Sequence, residues 1–439
     1  MKRRKLEFGD SIQAIFPEYY FGDDFEEISH RNKTITFQVT EDCSLRCSYC
    51  YQGCKKPNYM TFDIAKKFID YLFEHRLDKD FYFSEINAKS LVIEFIGGEP
   101  FLCIDLINEI TEYFENKLYE VPDSIWFLNH CYSFSTNGVA YFEPKVQEYI
   151  KKYDGLTSIS VTVDGCKELH DKCRLFPDGS PSYDLAIKAA LAELEKGNDA
   201  TKITQSPDNI SYTFAGIKNM IELGFRDIEI NSVFEEGWDT SHAKILYEEL
   251  KKVSDWLIKE NLQDEVYIRL FDSDSYNNRY LLHENDSDRN WCGSTSAMCA
   301  LNYKGEIFPC LRFMESSLNG EAEPYVIGDL DYGIGGTDLY SNRLNSLYSL
   351  TKSEQSTDEC LNCPIEAGCS WCTGYNYQHF GRFDKRATYI CYNHKAAALA
   401  SLYFYKKCND RENYNKIKVT KDLALDIISE DEWNNLQWR

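Results

Sequence analysis

The spacing of three cysteines near the start of the chain constrains its fold more than any other feature. Cys43, Cys47 and Cys50 form a CxxxCxxC pattern directly after residues 35–39, a β-branched and apolar segment that predicts a strand. Three thiolates can ligate an iron–sulfur cube that takes four ligands, so one iron stays open for an exchangeable ligand. Barrel-type folds carry catalytic groups just beyond the C-terminal ends of their strands, where these cysteines would lie. Residues 43–50 are called the CxxxCxxC loop below.

Strand-like and helix-like segments alternate along the first 260 residues. Strand-like runs occupy residues 35–40, 91–96, 132–135, 158–163, 202–204 and 228–233. Amphipathic helical patterns lie between them, for example at residues 64–73 and 183–194, and another helix with one apolar face covers residues 246–257. Such alternation implies parallel strands joined by right-handed crossovers. Six units of this kind predict an α/β fold, a partial (β/α)6 barrel that is open on one side.

The composition excludes several classes of function. The net charge is −23, and an acidic surface repels phosphate backbones, so we expect no nucleic-acid partner. No stretch approaches the roughly 20 apolar residues of a membrane span, so we expect no membrane contact. The basic residues 2–5 are not followed by the apolar core of an export signal. The sequence therefore predicts a cytoplasmic protein.

Cysteine is abundant, with 17 residues in the chain. Without an export signal, this number argues against a disulfide scaffold and favours metal or cluster ligation. Eight of these cysteines lie in the C-terminal part: Cys292, Cys299, Cys310, Cys360, Cys363, Cys369, Cys372 and Cys391. Eight thiolates suit two further [4Fe–4S] cubes, and zinc is the alternative because CxxC pairs bind it readily.

Polar motifs follow the second, third and fourth predicted strands. The candidate residues are Gly97, Gly98, Glu99, Ser135, Asn137, Asp164 and Arg174. Two glycines at a strand end let the backbone come close to a ligand, and the adjacent carboxylate can accept hydrogen bonds from an ammonium group. For Asn137, which precedes a glycine, an ordinary turn is the alternative interpretation.

The CxxxCxxC loop, followed by the GGEP motif at the end of the next strand, resembles the radical S-adenosylmethionine (SAM) superfamily. In that superfamily the open iron chelates the amino and carboxylate groups of SAM, and the reduced cluster splits SAM to give a 5′-deoxyadenosyl radical. The resemblance implies cofactor contacts for Tyr49, Gly97, Gly98, Glu99, Ser135 and Asn137. It further implies that the catalytic candidates Asp164 and Arg174 line the mouth of the active site.

The C-terminal cysteines resemble the SPASM domain, an extension of radical SAM enzymes that mature peptides and proteins. Two residues separate the last pair of the central block, instead of the usual three. By the pattern of that domain, the first auxiliary [4Fe–4S] cluster takes Cys292, Cys310 and Cys372, and the second takes Cys360, Cys363, Cys369 and Cys391. Cys299 either completes the first cluster or leaves an open iron there for a substrate thiol.

The sequence is most similar to a subgroup of radical SAM peptide maturases named for targets with a repeated Cys-x-x-x pattern. The resemblance implies a ribosomally made, cysteine-containing precursor peptide as substrate, a thioether crosslink as product, and a flavodoxin or ferredoxin as electron donor. One alternative is a carbon–carbon crosslink. Another is formylglycine formation by an anaerobic sulfatase-maturing enzyme, which is disfavoured because Leu311 stands where such enzymes have an aspartate. A non-enzymatic electron carrier would not need the GGEP motif.

The sequence predicts five segments. Residues 1–33 form an unassigned N-terminal extension, and residues 34–260 form the radical SAM barrel. Residues 261–290, rich in Asp, Ser and Asn, are a linker to the SPASM domain at residues 291–405, and residues 406–439 form a tail.

Overall fold

The computed structural model describes residues 32–53, 55–235, 237–277 and 292–438. Most of the predicted N-terminal extension, Cys54 and residues 278–290 of the predicted linker lie outside the described residues. The strands are β1 Asn32–Thr40, β2 Ser90–Gly97, β3 His130–Thr136, β4 Thr157–Val161, β5 Ala200–Gln205, β6 Asp227–Ser232, β7 Tyr267–Ile268, β8 Met298–Leu301, β9 Glu306–Phe308, β10 Gly328–Asp329 and β11 Gly333–Ile334.

Strands β1 to β6 form the partial barrel that the alternating pattern predicts, and the short strand β7 extends it. Strands β1 to β4 are neighbours in chain order, and β5, β6 and β7 form a second parallel sheet. A bridge between Thr162 and Lys202 connects the two sheets. The free edge of β1 is covered by β8, which pairs with it in parallel, so the C-terminal part extends the barrel sheet. The predicted α/β class is confirmed.

Helices cover the outside of the strands. They are α1 Phe62–Glu74, α2 Ile104–Glu120, α3 Pro144–Lys152, α4 Lys167–Cys173, α5 Tyr183–Glu195, α6 Thr213–Glu222, α7 Thr240–Glu260, α8 Glu315–Leu318, α9 Asp338–Tyr348, α10 Lys352–Gln355, α11 Asp358–Leu361, α12 Thr373–Phe380, α13 Cys391–Lys407, α14 Arg411–Lys416, α15 Lys421–Leu425 and α16 Glu430–Leu436. The apolar face predicted around residues 246–257 is buried in α7, which packs against α6 and α13. Within the described ranges, no helix is both long and apolar enough to cross a membrane.

The core is continuous from the barrel into the C-terminal part. Phe37, Phe95 and Phe134 lie on three adjacent strands, and their ring centroids are separated by 5.9 and 5.5 Å. Ala300 and Phe308, from β8 and β9, belong to the same buried cluster. Apolar burial therefore fixes β8 against the barrel, which matters because the cysteine-rich segments follow directly.

Two glycines allow the end of β2 to pass very close to the CxxxCxxC loop. A Cβ atom at Gly97 would lie 2.1 Å from the Thr40 carbonyl oxygen, and one at Gly98 would lie 2.0 Å from that of Asp42. At this distance the Gly98 N–H donates to Thr40 and the Glu99 N–H donates to Asp42, at 3.1 and 2.9 Å. The sequence suggested that these glycines let the backbone approach a ligand. In the structure they let it approach the backbone of Thr40 and Asp42, directly before the CxxxCxxC loop.

We expect Gly98→Ala to lower the free energy of unfolding by about 1–3 kcal/mol, because the new methyl group must displace backbone atoms. The control is Gly216→Ala in α6, where a Cβ atom would meet its nearest neighbour at 3.4 Å. That substitution should be neutral or stabilising by about 0.5–1 kcal/mol, as alanine favours a helix over glycine. Denaturant unfolding measures both values. Equal effects would contradict the close backbone approach.

Candidate functional site

The CxxxCxxC loop lines a cavity of about 460 Å³ at the C-terminal ends of the barrel strands. We call it the central cavity. The loop is held on the outside by α4 and the residues after it: the Arg46 N–H donates to the Leu175 carbonyl at 2.7 Å, and the Ser48 N–H donates to that of Cys173 at 2.9 Å. Backbone contacts of this kind fix the loop whatever its side chains bind. Cys43, Cys47 and Cys50 all line the cavity.

Burial dominates the electrostatics of two of these thiols. Burial raises the pKa of Cys47 to about 11, the other two thiolates add to the rise, and the Arg174 guanidinium opposes it. Burial likewise raises the pKa of Cys43. In the described part of the chain, no three potential ligands converge as they do around a single metal ion. Three cysteines that line one cavity fit a multi-iron cluster, in which each cysteine binds a different iron.

Glu99 is a buried carboxylate that joins the ends of β2 and β3. It accepts hydrogen bonds from the Thr136 hydroxyl at 2.7 Å, the Asn137 N–H at 2.8 Å and the Phe101 N–H at 3.2 Å. Its exposure is 1%. Three donors from the protein already occupy the carboxylate, so its first role is to position the strand ends that frame the central cavity.

Asn137 connects the third strand to the CxxxCxxC loop. Its amide nitrogen donates to the Ser44 hydroxyl at 3.0 Å and lies 3.7 Å from Cys43 Sγ. Its amide oxygen accepts from the Val139 N–H at 2.9 Å, which makes the turn that the sequence suggested as the alternative. Asn137 and Ser135 both line the central cavity. The turn and a position at the cavity are therefore compatible.

Tyr49, Asp164 and Arg174 form one hydrogen-bonded group. The Tyr49 hydroxyl donates to the Asp164 carboxylate and accepts from Arg174 Nη1 at 2.8 Å. The Thr204 N–H also donates to Asp164, at 3.1 Å. Tyr49 and Arg174 line the central cavity, whereas Asp164 is fully buried behind them. Asp164 thus supports the other two, and it lies away from the mouth where the sequence placed it.

His170 holds this group from the side of α4. Its Nδ1 accepts from the Asp164 N–H at 3.2 Å, so the proton is on Nε2, which contacts the Ser182 hydroxyl at 3.0 Å. Ser182 in turn donates to the Arg174 carbonyl at 2.5 Å. Burial, with a smaller contribution from Arg174, lowers the pKa of His170 to about 3. A neutral imidazole therefore positions both Asp164 and Arg174.

Several charged residues of the central cavity were not found from the sequence. Lys55 donates to Cys50 Sγ at 3.0 Å, and Arg312 forms an ion pair with Glu235 at 2.6 Å. Glu94 and Lys202 also line the cavity. Lys202 carried a signal, since a lysine inside a short strand-like run is unusual. Arg312 lies two residues after Cys310, in a stretch that the sequence resemblance includes, but Glu235 is 77 residues away and the sequence does not indicate the pair.

A second cavity, of about 390 Å³, collects the cysteines assigned to the second auxiliary cluster. Its lining includes Cys360, Cys363, Cys369 and Cys391. Burial raises the pKa of Cys369 to about 12, and Arg386, which also lines this cavity, opposes the rise. The structure therefore brings together the four thiols that the SPASM pattern grouped.

Cys292, Cys310 and Cys372 form a third group of thiols. Burial and the two neighbouring thiolates hold the pKa of Cys310 well above its usual range. Cys372 also lines the central cavity. Cys299 lies elsewhere: it is 1% exposed on β8, opposite Ile35 of β1. The structure brings three cysteines together here, and Cys299 is not one of them.

Comparison with known proteins shows what the chain is similar to. No protein-family profile matches the sequence. The chain is 30% identical over 201 residues to an uncharacterised protein of Methanocaldococcus jannaschii, a match that covers 45% of this chain and 62% of that protein. It is 24% identical over 387 residues to the radical SAM cyclopropyl synthase TigE of Paramaledivibacter caminithermalis, covering 81% of this chain and 71% of the relative. The sequence is thus similar to that of a radical SAM enzyme.

A solved structure supports the fold of the chain. Native anSMEcpe with bound AdoMet superposes with a TM-score of 0.65 at 16% identity, covering 88% of this chain and 100% of that one. The radical SAM fold predicted from the sequence is therefore confirmed. The chain spans 62% of the first sequence relative and 71% of the second, so the activity of this enzyme is argued below from its own residues.

The buried His170 predicts a pH dependence of stability. The neutral imidazole of the folded enzyme has a pKa of about 3, and an unfolded histidine titrates near 6.5. The unfolded chain therefore binds the extra proton, and stability is lost as the pH falls below about 6.5, by up to about 1.4 kcal/mol per pH unit. Denaturant unfolding between pH 7 and 5 should show this slope in the wild type and in the exposed-histidine control His75→Gln. The slope should be smaller in His170→Gln. An unchanged slope in that variant would show that another group causes the pH dependence.

The placement of Cys299 predicts different effects of two cysteine substitutions on iron content. Cys310→Ser should lower the iron of the anaerobically reconstituted enzyme by about four atoms per chain, because one cube loses a ligand. Cys299→Ser should keep the wild-type iron content. Iron and sulfide analysis with electron paramagnetic resonance measures both variants. An equal loss in the two would place Cys299 among the cluster ligands.

Proposed function

We propose that this enzyme is a peptide maturase that joins a cysteine sulfur of a ribosomally made precursor peptide to a peptide carbon. One observation carries the proposal. The central cavity is lined on one side by the CxxxCxxC loop and on another by Cys372 and Arg312 of the cysteine-rich C-terminal part. A peptide in this cavity would lie between the two cysteine-rich parts of the chain.

The residues present fit the cofactors of the radical SAM class. Cys43, Cys47 and Cys50 would hold a [4Fe–4S] cluster, and Tyr49 and Ser135 would lie beside SAM. When bound and reduced, these cofactors supply a 5′-deoxyadenosyl radical, which no side chain can provide. The auxiliary cysteines would hold two further clusters, the first by Cys292, Cys310 and Cys372.

The chain's own residues position and shield the reacting groups. Glu99 fixes the Asn137 backbone, and Asn137 fixes Ser44, so the CxxxCxxC loop is held from inside the barrel. Arg174 is held by Tyr49 at 2.8 Å and brings a positive charge to the cavity wall, where it suits a carboxylate group. The Arg312–Glu235 pair links the C-terminal part to the loop after β6 at the other wall. These contacts fix the two walls of the central cavity relative to each other.

The peptide substrate is supported by charge and by the structural neighbour. The net charge of −23 suits a peptide with basic segments, and it disfavours nucleic acid. The neighbour anSMEcpe has been solved with bound AdoMet and a Cp18Cys peptide. A flavodoxin or ferredoxin would supply the electrons in this proposal.

A carbon–carbon crosslink is the second candidate, because the name of the relative TigE, a cyclopropyl synthase, indicates carbon–carbon bond formation. Formylglycine formation has less support. The position after Cys310 is Leu311, an apolar side chain packed against the core, which cannot accept a proton.

The test is tandem mass spectrometry of a cysteine-rich peptide encoded beside this gene and co-expressed anaerobically with the enzyme. Thiols are alkylated before analysis. We expect the loss of two hydrogens per link, with the linked cysteines protected from alkylation, and no change with the Cys47→Ala enzyme. The same loss with every thiol still reactive would establish carbon–carbon linkage instead. An unchanged peptide, despite SAM cleavage, would contradict the proposed substrate.

A further inference from the structure

Lys202 is the charged residue of the central cavity that the preceding account leaves without a role. It lies in the middle of β5, between Thr162 at the bridge from β4 and Glu229, its partner on β6. Its side chain lines the cavity together with the CxxxCxxC loop and Arg174. An amine at this position would face whatever substrate group enters between the cysteine-rich parts of the chain.

The other charged side chains that line the cavity have partners within the protein. Among the cations, Lys55 donates to Cys50 and Gln52, and Arg174 donates to Tyr49. Among the carboxylates, Glu94 accepts from Thr36, and Glu99 accepts from three donors. Glu235 and Arg312 pair with each other. Among the described residues, none lies within hydrogen-bond or ion-pair distance of Lys202 Nζ. A half-buried amine without a partner is costly unless a ligand engages it or it loses its proton.

The groups around Lys202 shift the pKa of its amine in opposite directions. Burial is the largest influence and lowers the pKa of the amine, and the Arg174 guanidinium lowers it further. Glu94 on β2, Asp164 after β4 and Glu229 on β6 oppose this shift. The net direction is downward, so the neutral amine is more populated near neutral pH than in an exposed lysine.

We propose that Lys202 is the general base that takes the proton of the substrate cysteine thiol in the central cavity. The inference rests on the proposed peptide maturase function. In this step the S–H bond breaks, its proton forms a new N–H bond on Nζ, and the electron pair stays on sulfur. The step yields a thiolate beside an ammonium group, and nothing is oxidised or reduced. The thiolate, and not the thiol, is the reactive form of cysteine.

The alternative base, Asp164, is less suited by its contacts. It has no exposed surface, it does not line the cavity, and it already accepts from Tyr49 and Thr204. A substrate thiol could not reach it without displacing Tyr49. Lys202 meets both requirements of a base, since it lines the cavity and has a free electron pair when neutral.

The experiment compares Lys202→Ala and Lys202→Arg with the control Lys244→Ala, an exposed lysine of α7. Thioether formation on the cysteine-rich peptide is measured against pH, with thermal unfolding as a check of folding. We expect both Lys202 variants to lose at least about 100-fold in kcat/KM near neutral pH, the lower range for general base catalysis. Their residual rate should rise about tenfold per pH unit up to the pKa of a free thiol, about 8.5, while the wild-type rate levels off earlier.

Chemical rescue distinguishes a Lys202 that accepts a proton from a Lys202 that only supplies a positive charge. Methylamine should restore part of the activity of Lys202→Ala, and tetramethylammonium, a cation that cannot accept a proton, should not. A wild-type rate and pH profile in Lys202→Arg, or rescue by tetramethylammonium, would overturn the inference by showing that charge alone suffices. Failure of the wild-type enzyme to modify any cysteine peptide would instead overturn the proposed function, and the general base with it.

Discussion

Glu99 joins the ends of three strands through its backbone and its carboxylate, and the arrangement of the site depends on it. Its backbone N–H binds the start of the CxxxCxxC loop after β1, while its side chain binds Thr136 and Asn137 at the end of β3. The two preceding glycines make this possible, since any side chain there would collide with the loop backbone. A buried carboxylate with three protein donors is strongly held. The barrel therefore fixes the position of the three cysteines.

The second structural requirement is the attachment of the cysteine-rich C-terminal part. Strand β8 pairs with β1, and the apolar core continues from the barrel into β8 and β9. Cys310 follows β9, which pairs with β8, and β8 is docked on the strand that leads into the CxxxCxxC loop. The central cavity is shared because one strand, β1, is the neighbour of both parts. This shared cavity is the physical basis for proposing a peptide substrate placed between them.

Much of this could be predicted from the sequence because the determinants are local. The strand periodicity gave the order of the barrel strands, and the cysteine spacing placed the loop after β1. The SPASM pattern grouped the four thiols that line the second cavity. The sequence could not show that Asp164 lies behind Tyr49, or that Cys299 is buried on β8 and is not grouped with Cys310, because both depend on how distant segments pack. The position of Lys202 at the central cavity and the Arg312–Glu235 pair were hidden for the same reason, since each brings together segments that are far apart in the sequence.

The central claim is that a cysteine-containing peptide enters the central cavity and gives up a hydrogen atom there. The most direct test uses a precursor peptide fully deuterated on carbon, incubated anaerobically with the reduced enzyme and SAM. Mass spectrometry then measures the deuterium content of the 5′-deoxyadenosine released. The account predicts that deuterium appears in the 5′-deoxyadenosine in step with modification of the peptide. Unlabelled 5′-deoxyadenosine, produced at the same rate with or without the peptide, would contradict it.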